Sequence, residues 1–76
     1  MRISDRISID PNIRHGKPCV SDHRIPVYMV LELVARGIGF DDIIGTYYPS
    51  LTREDISACV VYARHLVQPE PIREPE

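Results

Sequence analysis

The chain has only two cysteines in 76 residues, Cys19 and Cys59, and no C-x-x-C pair, so nothing in its cysteine usage points to secretion or to paired-thiol chemistry. Its four glycines, Gly16, Gly37, Gly39 and Gly45, fall in separate turns, so no glycine-rich phosphate loop exists. The apolar runs are short: Val27 to Leu31 is far below the roughly 20 residues that cross a bilayer. The first residues carry no charged-then-apolar leader, and a cytoplasmic protein with no membrane partner is expected. Basic residues are also scarce, nine against eleven acids, for a net charge of −2. That argues against a dominant role in non-specific nucleic-acid binding, which depends on Lys and Arg displacing counterions from phosphates.

What is present is the composition of a folded chain, 43% hydrophobic and 26% charged with both signs mixed. At this length one domain forms, and folding buries roughly 60% of the unfolded surface, which leaves stability marginal. The charge is uneven: residues 1–24 sum to +2 and residues 25–76 to −4. One end suits an anion and the other a cation.

Ile3, Ile7 and Ile9 alternate with polar residues, the period of a half-buried strand, and a strand is expected over 6–10. Pro11-Asn12 then turns the chain, and a second short strand is expected at Pro18-Cys19-Val20. Asp22-His23 suits a tight turn, because Asp tolerates a left-handed backbone. Pro26 opens a helix expected over 26–36, with Val27, Val30, Leu31 and Val34 at helical spacing and Gly37 as its left-handed stop. A second helix over 40–47 places Ile43, Ile44 and Tyr47 inward and stops at Pro49. Thr52 with Asp55 three residues on makes a capping box with Asp in place of Glu. The third helix, over 53–67, is expected to bury Ile56, Cys59, Val60, Ala63 and Val67. Residues 1–67 are therefore read as one domain, with a β segment over 1–25 and three helices over 26–67. Residues 68–76 hold three prolines and three glutamates and read as a tail.

Two helices joined by Tyr48-Pro49-Ser50-Leu51, with a third behind, form the layout of a helix-turn-helix, although an ordinary three-helix cluster has the same spacing. The fold class expected is mostly α. On such a motif Arg53 and Ser57, near the start of the third helix, would reach base edges, with Arg64 on the same exposed side and Arg6, Arg14 and Lys17 as supporting phosphate contacts. Arg24 is expected to pair with an acid of the third helix. Val61 and Tyr62 sit at the edge of the core face and suit a protein contact, and in the tail Arg73 beside Ile72 could enter an acidic pocket.

Catalytic chemistry finds no footing. Ser21-Asp22-His23 has the residue types of a hydrolase triad, but adjacent residues on one turn cannot align nucleophile, base and orienting acid. Asp41-Asp42 and Glu54-Asp55 each open a helix, where carboxylates serve the dipole. His15, Cys19 and His23 lie four apart around Gly16 and Pro18, not on one helical face, so no metal is expected. The reading is a protein with no cofactor and no enzyme activity.

The segments Gly16-Lys17-Pro18-Cys19-Val20, Arg24-Ile25-Pro26-Val27 and Tyr48-Pro49-Ser50-Leu51-Thr52-Arg53-Glu54-Asp55-Ile56 resemble, in order, the motifs of the family catalogued as domain of unknown function 433. The resemblance runs from Ile7 to about Leu66 and departs from the family pattern at Asp22-His23. It implies a three-helix, homeodomain-like helix-turn-helix behind a short N-terminal β segment, and a likeness to VapB-type antitoxins. Such a protein binds and neutralises a PIN-like nuclease toxin and, with it, its own promoter DNA, as a homodimer or hetero-oligomer. The competing expectation is a homo-oligomeric protein-interaction module that binds no DNA.

Overall fold

A computed structural model describes residues 3–67. Strands β1 (Ile7–Ser8), β2 (Cys19–Val20) and β3 (Ile25–Pro26) form a small antiparallel sheet in the order β1-β2-β3. They precede helix α1 (Val27–Ala35), a short helix α2 (Phe40–Asp42) that widens into a π turn over Ile43–Tyr47, and helix α3 (Arg53–Val67). The architecture is mostly α with a small sheet.

Ile7 pairs with Val20, and both side chains are buried, so the sheet's inner face joins the helical core directly. The strand expected over 6–10 is confined to Ile7–Ser8, because Asp10 leaves the ladder to organise the next turn. Its carboxylate accepts from the Asn12 N–H (2.8 Å) and its carbonyl from the Ile13 N–H (2.9 Å). The β2–β3 hairpin turns where expected, with Asp22 left-handed at φ +70°. A second left-handed stretch, Arg14 and His15 with φ of 51° and 57°, had no signal in the sequence beyond the neighbouring Gly16.

Pro26 ends β3 and immediately precedes the first turn of α1, where its missing N–H leaves no helical bond unmade. The helix stops as expected at Gly37, φ +85°, whose N–H donates to the Val34 carbonyl (2.9 Å) while the Ile38 N–H reaches Leu33 (3.1 Å). Val27, Val30 and Leu33 are buried, and Leu31 and Val34 pack half-buried at the edge.

The second helix keeps its expected bounds but not its form. The Tyr48 N–H donates to the Ile43 carbonyl (2.8 Å), five residues back, which satisfies the end of the helix before Pro49. With this closure Tyr48 packs on the core beside Ile43, and Tyr47, expected inside, points out at 48% exposure.

The capping box forms reciprocally: the Thr52 N–H donates to Asp55 Oδ2 (2.9 Å) and the Asp55 N–H to Thr52 Oγ1 (3.1 Å). It also corrects the expected face of α3. The inward residues are Asp55, Ile56 and Cys59, with Ala58 and Tyr62 half-buried beside them. Val60 and Val67, assigned to the core by spacing, are exposed, and Ala63 is only half-buried. Hydrophobicity alone puts an acid outside; here the bound carboxylate turns inward, beside Ile56 and Cys59, which are buried as their spacing predicts.

Candidate interaction surface

The first turn of α3 is organised around Asp55. Its Oδ1 accepts from Arg6 Nη1 at 2.9 Å, its Oδ2 from the Thr52 N–H, and His23 Nε2 lies 3.8 Å from Oδ2. Burial pushes this carboxyl up, but the Thr52 N–H, the Arg6 guanidinium and the Thr52 hydroxyl together outweigh it and hold Asp55 below its ordinary 3.8. The Arg6–Asp55 pair ties the segment before β1 to α3, and His23 of the β2–β3 turn lies beside it. The ion pair expected between Arg24 and an acid of this helix is made by Arg6 instead. Arg24 is left-handed at φ 58° and exposed, and its carbonyl accepts from Arg14 Nε at 3.4 Å. The hairpin ends its turn there, so the Arg24 side chain leaves toward solvent while the residue preceding β1 lies over α3.

The basic residues expected at DNA are dispersed. Arg53 is folded back onto α2, 2.5 Å from Asp41 Oδ1 and stacked 5.4 Å from the Phe40 ring centroid. Arg6 is tied to Asp55. Lys17 lies 5.7 Å from the centroid of Tyr28, and Arg14 sits exposed in the left-handed turn. Ser57 and Arg64 are exposed along α3. Arg73 and Ile72 lie outside the described residues.

What gathers is apolar. A groove of about 870 Å³ runs between residues 3–6 and the face of α3 that carries Glu54, Ser57, Ala58, Val61, Tyr62 and His65. A second, of about 500 Å³, lies between α3 and the start of α1, lined by Lys17, Pro18, Val27, Tyr28 and Leu31 opposite Tyr62, Ala63 and Leu66. Tyr62 and Leu66 border both, so they form a ridge between two depressions. Val61 and Tyr62, expected at a protein contact, are both on this surface. Ile3, Tyr28 and Leu66 were not foreseen; their only signal was helical or alternating spacing that left them off the core stripes.

Among the described residues no three His, Cys, Asp or Glu side chains group as a metal would require, and no helix is long and apolar enough to cross a membrane. Burial, with the Asp55 charge adding to it, pushes the Cys59 thiol up to about 12, so it stays protonated and unreactive. The Ser21 hydroxyl is buried without a hydrogen-bond partner among the described residues.

A solved DUF433 member protein from Anabaena variabilis is similar to this chain, with 29% identity and a TM-score of 0.71 over 87% of this chain and 62% of that one. The chain therefore spans less than two thirds of that protein's length. No curated protein matches it. The family model described as protein of unknown function (DUF433) matches residues 7–63, from β1 into the second half of α3, and the chain belongs to that family.

Proposed function

We propose that this chain is a protein-interaction module whose working surface is the outer face of α3. The observation that carries this reading is the ridge of Tyr62 and Leu66 between two apolar grooves, with Leu66 66% and Tyr28 54% exposed. Single exposed apolar residues are ordinary, whereas a contiguous apolar relief on so small a chain marks a contact surface. The family resemblance supplies the setting, an antitoxin-like adaptor docking on a PIN-like nuclease in the cytoplasm, with no chemistry of its own.

A second reading, promoter binding, is favoured by Arg53 and Ser57 standing exposed on the opening turns of α3, directly after the turn from α2. The scattered basic residues make this a property of an assembly of copies rather than of one chain, because each copy contributes few phosphate contacts.

Co-expression with a nuclease encoded next to it, followed by co-purification, tests the main reading. Leu66→Glu should lower affinity for the nuclease at least tenfold, since it places a charge on the ridge, while leaving the circular dichroism spectrum unchanged. A complex indifferent to Leu66→Glu overturns the reading. Gel shifts of that complex test the second: Arg53→Ala should weaken binding to the promoter more than to random duplex.

A further inference from the structure

The two grooves differ in chemistry. Tyrosines from two helices line the smaller one, Tyr28 of α1 and Tyr62 of α3, with Leu31, Ala63 and Leu66 among its apolar walls. The one charged residue of its lining is Lys17, whose ammonium lies 5.7 Å from the centroid of the Tyr28 ring. The larger groove is bordered by the acids Asp5 and Glu54, and its Arg6 is already paired with Asp55. An apolar trough between tyrosine rings suits a proline-rich segment, because such a segment is preformed as an extended polyproline II helix and docks on aromatic-lined grooves. A lone ammonium at the trough selects a segment that also carries acids.

The chain carries that segment next to the groove. α3 ends at Val67, beside the groove residue Leu66, and Gln68-Pro69-Glu70-Pro71-Ile72-Arg73-Glu74-Pro75-Glu76 follows, outside the described residues. We infer that the smaller groove is a proline-recognition site and that residues 68–76 of the same chain occupy it. Pro69 and Pro71 are incompatible with a continued α3, so the chain leaves the helix axis beside the groove. Extended from Val67, the chain reaches about 15 Å by Ile72. Tyr62 to Leu66 covers only about 6 Å along α3, so Ile72 and the prolines before it come within range of both tyrosines. Ile72 is the one large apolar side chain among them and fills the trough between the rings. Three glutamates against Arg73 give these residues a net charge of −2, which the Lys17 ammonium attracts and the acids of the larger groove repel. Site and segment share one chain, so the encounter is intramolecular and modest contacts suffice. The inference goes beyond the proposed partner and leaves it the larger groove.

Nuclear magnetic resonance on the full chain tests the assignment. Overhauser contacts are expected from the Ile72 methyls to the ring protons of Tyr28 and Tyr62, unchanged on dilution. Lys17→Glu, at an exposed position that leaves the circular dichroism spectrum unchanged, should reduce those contacts at least threefold. Ile72→Asp should shift the ring resonances of both tyrosines and leave signals away from the groove in place. Random-coil shifts over residues 69–75 with no contact to either ring overturn the inference. Contacts seen only between differently labelled chains assign the groove to the tail of a second copy and overturn the in-chain site, and contacts undiminished by Lys17→Glu overturn selection by charge. These signals are read on the chain alone, so their absence does not bear on the nuclease complex.

Discussion

The two halves of α3 treat charge and apolar surface in opposite ways. In its first turn a carboxylate, Asp55, is only 4% exposed, held by Thr52 and Arg6 with His23 nearby. In its last turns Leu66 and Val67 stand 66% and 77% exposed, and Val61, a turn earlier, is 38% exposed. Burying an acid costs several kcal/mol unless its oxygens are bonded, so the first half must carry a complete set of partners. Leaving a leucine in water costs about 1.5–3 kcal/mol of burial forgone, which a stable chain tolerates where a partner supplies the burial. The difference teaches that on this helix the acid is part of the packed interior and the apolar end is left uncovered, the reverse of what residue type suggests.

The sharpest way to break this comparison is to truncate one apolar residue in each half. Ile56→Ala removes a side chain with no exposed surface and should cost about 3 kcal/mol, a large part of the stability of a domain this small. Leu66→Ala should change stability by less than about 0.5 kcal/mol. Urea denaturation of both variants measures the contrast, and equal losses would mean that the end of α3 is packed after all.

A smaller effect isolates the buried acid. Asp55 has a folded pKa below its ordinary 3.8, so its contribution is fully present above that value and is lost as pH falls through the lowered one. Asp55→Asn should cost about 1–2 kcal/mol at pH 7, held to that by solvent at the half-exposed Arg6 end. The variant should also lose less stability than the parent chain between about pH 4 and pH 2. Thermal melts across that range check both; parallel curves for parent and variant would remove Asp55 from the acid-sensitive set.

The smallest effect tests the flank of α3 that spacing placed inside. Val60, a core residue by spacing, is 38% exposed, and Val60→Asp should shift stability by no more than about 0.5–1 kcal/mol. Unfolding of this variant would return Val60 to the interior and undo the assignment of the two faces.

Much of the local structure was legible before any coordinates. The Gly37 stop, the Thr52–Asp55 cap, the Asp22 turn and the ends of all three helices come from backbone preferences and short-range hydrogen bonds that nearest neighbours decide. The order of the three motifs was likewise enough to place the chain in its family. Less of the candidate surface could be read. Val61 and Tyr62 stood out as apolar residues beyond the core stripe, but the grooves around them need residues 3–6 and the start of α1 brought against α3.

Spacing alone reads Ile56 and Cys59 as inward, but which flank of α3 joins them, Asp55 rather than Val60, was decided only by tertiary structure. The deciding contact, Arg6 with Asp55, joins residues 49 apart in the chain, and no local pattern distinguishes Arg6 from Arg24 as the partner. Helical periodicity reads Asp55 as a solvated acid and Val60 as core; the physical reason it fails at these two positions is that a carboxylate with its donors supplied is cheaper to bury than spacing assumes.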